Sequence, residues 1–194
     1  PNFISEGYFT RVAIPKALGL TGPETRLSGS RRLRYCPPVG NHPEMTAALL
    51  GRAAEVAPGV APETVSLVIA AHGTPRDGRS GEAARREAAR IAARGRYAEV
   101  IAAYLEEPPQ IADWAAVTRQ PVVVVVPFFI SDGLHGAADI PKLLGLPPGV
   151  TGGGPWPVNG RQLYYARAIG TDPLFADLIL DQVDAFDRQH GFTP

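Results

Sequence analysis

Two stretches of this 194-residue chain repeat one another 126 positions apart. Phe3-Ile4-Ser5-Glu6-Gly7 returns as Phe129-Ile130-Ser131-Asp132-Gly133, and Ile14-Pro15-Lys16 returns as Ile140-Pro141-Lys142, each copy closing on Leu-Gly-Leu. Ten of eighteen positions match between residues 3–20 and 129–146. A repeat of this kind obliges both stretches to form the same supersecondary unit, so the chain divides into related units rather than unrelated halves. The copies part company at the residues with most chemistry: His135 and Asp139 stand where the upstream copy has Phe9 and Ala13.

The correspondence continues further along. Arg34-Tyr35 aligns with Tyr164-Tyr165, and Gly40-Asn41-His42-Pro43 aligns with Gly170-Thr171-Asp172-Pro173. Residues 1–57 therefore read as the C-terminal half of a degenerate unit, 58–64 as a linker rich in proline and glycine, and 65–194 as a complete domain. The downstream copy follows the apolar run Val122–Val126, and no such run precedes the upstream copy. The chain is accordingly expected to begin inside a unit, with the missing upstream half-unit as a partner, in the same polypeptide or in another chain.

Composition narrows the function classes. Nineteen basic and nineteen acidic side chains cancel, which gives no general footprint for nucleic acid. Cys36 is the single cysteine, so an internal disulfide framework or a four-cysteine metal site is excluded. A cytoplasmic setting is expected. No stretch approaches eighteen apolar residues, and no basic segment followed by an apolar one opens the chain, so neither a membrane span nor a signal peptide is expected.

The downstream region alternates short apolar runs with helical segments. Val65–Ala71, Val100–Leu105, Pro121–Phe129 and Leu163–Ile169 read as strands, the third with five consecutive valines. Ser80 reads as the cap of a helix running to Arg94, Gln110–Thr118 and the region around Ile140–Leu144 as short helices, and Pro173–Gln189 as the last helix. The loop Pro147–Gly160 contains Gly152-Gly153-Gly154, which lacks the Lys-Ser/Thr of a phosphate loop and reads as a flexible or lid-like loop. This order predicts an α/β fold: a four-stranded parallel sheet with helices on both faces, one complete unit plus half of another.

In open parallel sheets, ligands bind beyond the carboxyl ends of the strands. His72 ends the first strand, Glu106 and Glu107 end the second, and His135 lies in the loop after the third. Two imidazoles and a carboxylate on one sheet edge suit a borderline divalent metal. Taken singly, a histidine at a strand end is commonly a hydrogen-bonded structural residue, and an isolated glutamate a solvated one. Their shared edge carries the functional reading.

Three segments in register, Ala71-His72-Gly73-Thr74-Pro75-Arg76-Asp77, Tyr104-Leu105-Glu106, and Val122–Pro127 with Gly133-Leu134-His135 and Asp139-Ile140-Pro141, resemble the sirohydrochlorin chelatase family, the small CbiX-type metal-inserting enzymes. The resemblance covers residues 65–190 in order. It implies a chelatase-like (flavodoxin-like) sheet, a tetrapyrrole substrate, and Co2+ or Fe2+ as the second substrate, with no nucleotide cofactor. It also implies His72 and His135 as metal ligands and catalytic bases, assisted by Glu106, with Glu107 as an open alternative. Arg76, Arg79 and Lys142 follow the two histidines and are candidates to bind the substrate's carboxylates. A non-catalytic tetrapyrrole- or metal-binding module of a larger multidomain protein is the rival, favoured by the blank first copy. An Fe(II) oxygenase built on two histidines and a carboxylate is disfavoured by the parallel α/β pattern.

Overall fold

The computed structural model describes residues 1–75 and 78–192. The first part of the chain forms a π-helical turn at Phe9–Ala13, helix α1 (Ile14–Ala17), strands β1 (Glu24–Arg26) and β2 (Arg32–Arg34), and helix α2 (Met45–Val56). There follow β3 (Val65–Ala71), α3 (Glu82–Ala92), β4 (Glu99–Tyr104), α4 (Trp114–Val117) and β5 (Val122–Pro127). A second π-helical turn at His135–Asp139 leads into α5 (Ile140–Leu143), then β6 (Gly153–Val158), β7 (Arg161–Tyr165) and α6 (Leu174–His190). No described helix is long and apolar enough to cross a membrane.

Strands β4, β3, β5, β7 and β6 lie in that order in one sheet, parallel except for the antiparallel pair β6 and β7. Every residue of β3 is buried, as are five of the six in β5. That explains why these strands read as unbroken apolar runs: a parallel strand covered on both faces has no solvated side to alternate toward. On one face Leu67, Ile69, Val124, Val126 and Tyr164 pack against α2 and α3. On the other, Val68, Val123, Val125 and Leu163 pack against Trp114, Ile140 and Leu144. Helix α2, from the first 57 residues, thus shares a core with the sheet of the downstream region. The buried carboxylate of Glu87 on α3 secures it, accepting from the Thr46 hydroxyl at 2.5 Å and from Arg90 at 2.8 Å.

Two elements differ from the sequence expectation. The sheet has five strands, because Gly153–Val158 is an edge strand with a register irregularity between Gly153 and Trp156. Its Gly-Gly-Pro-Trp-Pro composition suits only an edge, where missing amide donors cost nothing, and so it reads as loop. The expected flexible or lid-like loop is therefore in part sheet. Ser80 does not cap α3; the helix begins after Gly81 with no side-chain cap.

Three backbone hydrogen bonds of residues 1–57 recur at the matching positions of the downstream copy. Arg11 N donates to Gly7 O and Ala137 N to Gly133 O, both at 3.0 Å, while Leu20 N to Pro15 O and Leu146 N to Pro141 O are both 2.9 Å. Gly40 N donates to Phe3 O, and Gly170 N to Phe129 O, both at 3.0 Å. At these two glycines the backbones cross so closely that a Cβ would lie 1.8 Å from the Ile4 carbonyl oxygen or 2.0 Å from that of Ile130. Gly170→Ala is therefore expected to lower stability by about 2–4 kcal/mol, read from the urea midpoint. Gly51→Ala, on an exposed turn of α2 where a Cβ meets nothing within 4 Å, is expected to raise stability by about 1 kcal/mol.

Candidate active site

The loops leaving β3 and β5 rise from the same sheet edge. Because these strands are parallel neighbours, their loops open side by side, and the His72 and His135 rings meet edge to face with centroids 5.1 Å apart. Both rings are part-exposed at the floor of a cleft of about 420 Å³. The two copies of the repeated segment form its walls, Phe3-Ile4-Ser5 from one and Phe129-Ile130-Ser131 from the other.

Each imidazole is oriented through one nitrogen. His72 Nδ1 lies 2.7 Å from the Gly73 carbonyl oxygen, which can only accept, so Nδ1 carries the proton and Nε2 the lone pair. His135 Nδ1 lies 2.7 Å from Asp139 Oδ2, four residues on, and the carboxylate fixes the same tautomer. Both rings therefore keep Nε2 available. Tyr165 steadies the turn bearing His135 by donating its hydroxyl to the Gly136 carbonyl at 2.6 Å. Burial pushes its phenol well above the ordinary range, so it remains a neutral donor.

The two adjacent glutamates separate cleanly. The His72 carbonyl accepts the amides of Leu105 and Glu106, at 3.0 and 3.1 Å, which draws the end of β4 beside the histidine. Glu106 then stands exposed with Oε1 3.9 Å from His72 Nε2. Glu107 turns the other way: its carboxylate accepts from Arg85 at 3.1 Å and packs over Gly73 and Gly81. A Cβ at Gly81 would lie 2.1 Å from Glu107 Oε1, and one at Gly73 2.7 Å from Glu107 Cγ. Glu107 is thus a structural pin and Glu106 the carboxylate that faces the imidazole.

Among the described residues, no three His, Cys, Asp or Glu side chains form a preassembled metal-binding set. The site is instead a pair of imidazoles with one carboxylate close to each ring. Arg79 and Lys142 are exposed and line no part of the cleft, and no described lining residue is an arginine or lysine. Arg76 lies outside the described residues. Asp172, after β7, points away from the cleft's chemistry: it pairs with Arg52 at 3.5 Å and accepts the Leu174 amide at the start of α6. Sequence reading assigned no role to Asp139, although its spacing of four from His135 was the available signal.

The sequence pattern of the CbiX family matches residues 66–185. A probable sirohydrochlorin cobaltochelatase from Halobacterium salinarum is 33% identical over 201 aligned positions, covering 94% of this chain and 69% of that protein. A solved CbiX structure, described as the terminal enzyme for siroheme biosynthesis in denitrifying bacteria, is 29% identical with a TM-score of 0.74, over 95% of this chain and 73% of that one. A multi-domain protein of Deinococcus radiodurans, with structural similarity to chelatases and two additional novel domains, is 28% identical with a TM-score of 0.69. The match covers 93% of this chain and only 39% of the Deinococcus protein.

The division of labour between the glutamates has a direct test. Glu106→Gln is expected to leave stability within about 0.5 kcal/mol of the parent. Glu107→Ala, which strands the Arg85 contact and empties the space over two glycines, is expected to cost about 1–2 kcal/mol by chemical denaturation.

Proposed function

This chain belongs to the CbiX family, and we propose on that footing that it inserts a divalent metal ion, Co2+ or Fe2+, into a sirohydrochlorin-type tetrapyrrole. The observation that carries the reading is the facing pair of imidazoles, each fixed through Nδ1 so that Nε2 is left for a ligand or a proton. Cobalt is favoured by the name of the Halobacterium relative and iron by the siroheme role of the solved neighbour. Cobalamin or siroheme synthesis is the corresponding setting.

Insertion exchanges two pyrrole N–H protons for one metal ion. The protein must therefore hold the metal loosely, strip its water and remove two protons. Two neutral imidazoles with no preassembled third ligand among the described residues suit a transient guest better than a resident one, because a closed tetrahedral set would retain the ion. Proton removal falls to the same groups. Nε2 of each ring accepts a proton as the metal departs, and the carboxylate on Nδ1 of His135 stabilises the imidazolium so formed. At His72 the exposed Glu106 stands 3.9 Å from Nε2 and can carry the proton to solvent. Phe3, Ile4, Phe129 and Ile130 in the cleft lining would give the faces of a bound macrocycle an apolar contact.

The second reading, a non-catalytic tetrapyrrole- or metal-binding module, draws support from the multi-domain Deinococcus relative, of which this chain matches the smaller part. Both readings are separated by following macrocycle absorbance with sirohydrochlorin and Co2+ or Fe2+. The parent is expected to accelerate insertion, His72→Ala/His135→Ala to return it to the uncatalysed rate, and Asp139→Asn to lose about 10–100-fold. Binding of the macrocycle without acceleration would establish the module instead.

A further inference from the structure

On the reading proposed above, the cleft over the imidazole pair admits two guests of opposite charge, a divalent cation and a polycarboxylate macrocycle. A lysine or arginine in its walls would attract the second and repel the first, and none is found among the described lining residues. Besides the imidazoles, the polar side chains that line it are Asn2, Ser5, Ser80 and Ser131. Among the described residues, none of these four side chains makes a hydrogen bond within the protein. Hydroxyls of nearby loops are tied down by contrast: Thr10 donates to the Gly7 carbonyl at 3.2 Å, and Thr171 to the Ala168 carbonyl at 2.7 Å.

Ser5 and Ser131 are equivalent positions of the repeat, one in each wall. Each stands between two fixed points of backbone. On one side, Gly40 crosses Ile4 and Gly170 crosses Ile130 so closely that neither glycine has room for a Cβ. On the other, Glu6 accepts from Asn41 at 3.2 Å, and Asp132 accepts the Ala168 amide at 2.7 Å. A serine held in this way has one side-chain torsion left to settle before its hydroxyl meets a ligand, so little freedom is lost on binding. Ser131 Oγ lies beside Gly133, 3.3 Å from the point a Cβ would occupy there, and Gly133 is two residues before His135.

We propose that Ser5 and Ser131 fix the macrocycle in the cleft, each donating its hydroxyl to a carboxylate on the macrocycle's edge. A hydroxyl binds a carboxylate without bringing a positive charge, so the same cleft stays open to the metal ion. Contacts from both walls set the macrocycle's orientation, where a single contact would leave it free to pivot. Recognition by neutral donors also has a signature. Salt screens the attraction of a lysine or arginine for a carboxylate, and has little hold on a hydroxyl contact.

Equilibrium binding of metal-free sirohydrochlorin, followed by its absorbance, reads these contacts whether or not metal is inserted. Each of Ser5→Ala and Ser131→Ala is expected to raise the macrocycle's dissociation constant about fivefold, and the double variant about 25-fold. Ser5→Thr/Ser131→Thr, which keeps both hydroxyls, is expected to stay within about threefold of the parent. The dissociation constant for Co2+ alone is expected to be the same in all of them. Between about 0.05 and 0.5 M salt the parent's affinity for the macrocycle is expected to fall by no more than about twofold. Parental affinity in the double alanine variant would overturn the assignment and leave the tetrapyrrole reading intact. So would an affinity that falls about tenfold or more with salt, because cations would then hold the carboxylates. A parent that does not bind the macrocycle at all would overturn both.

Discussion

The parallel pairing of β3 with β5 brings the site into being. Val65 to Ala70 run in register with Val122 to Pro127, so the chain leaves both strands at the same edge and in the same direction. Neighbouring strands lie about 4.8 Å apart. A side chain at the end of one is therefore within ring contact of a side chain in the loop of the other, although His72 and His135 are 63 residues apart. The pairing is held by burial on both faces. One of those faces is covered by α2, so the first 57 residues help to fix the strands that present the histidines.

The two matching segments share backbone contacts, and the positions at which they differ carry the chemistry. In both copies the acid of the repeated segment is a staple. Asp132 accepts from Arg167 and the Ala168 amide, and Glu6 accepts from Arg11 and Asn41. In both copies a glycine crosses the segment at contact distance. On that common frame, His135 and Asp139 occupy the turn where Phe9 and Ala13 stand upstream. The upstream segment still contributes to the cleft, with Phe3, Ile4 and Ser5 as wall.

What could be read from residues alone follows the strength of local physics. The central strands were evident because double-sided burial demands unbroken apolar runs, and the last helix because its periodicity spans seventeen residues. The edge strand β6 was hidden, since its Gly-Pro composition specifies a turn and only pairing with β7 makes it a strand. Glu106 and Glu107 were indistinguishable in sequence. Their roles separate through Arg85 and the close approach at Gly73 and Gly81, contacts from 22 to 34 residues away. Arg79 and Lys142 each follow a histidine by seven residues in the sequence, yet neither is among the residues that line the cleft. The Asp139 pairing was within reach, because a spacing of four on a helical turn places two side chains together.

The measurement that bears hardest on this account is the coordination shell of Co2+ bound to the protein, read by X-ray absorption. Two histidine imidazoles in the shell, falling to one when His135→Phe gives the downstream copy the side chain of the upstream one, is the result expected. A shell with no imidazole, or one that His135→Phe leaves unchanged, would contradict a metal shared between the loops of β3 and β5.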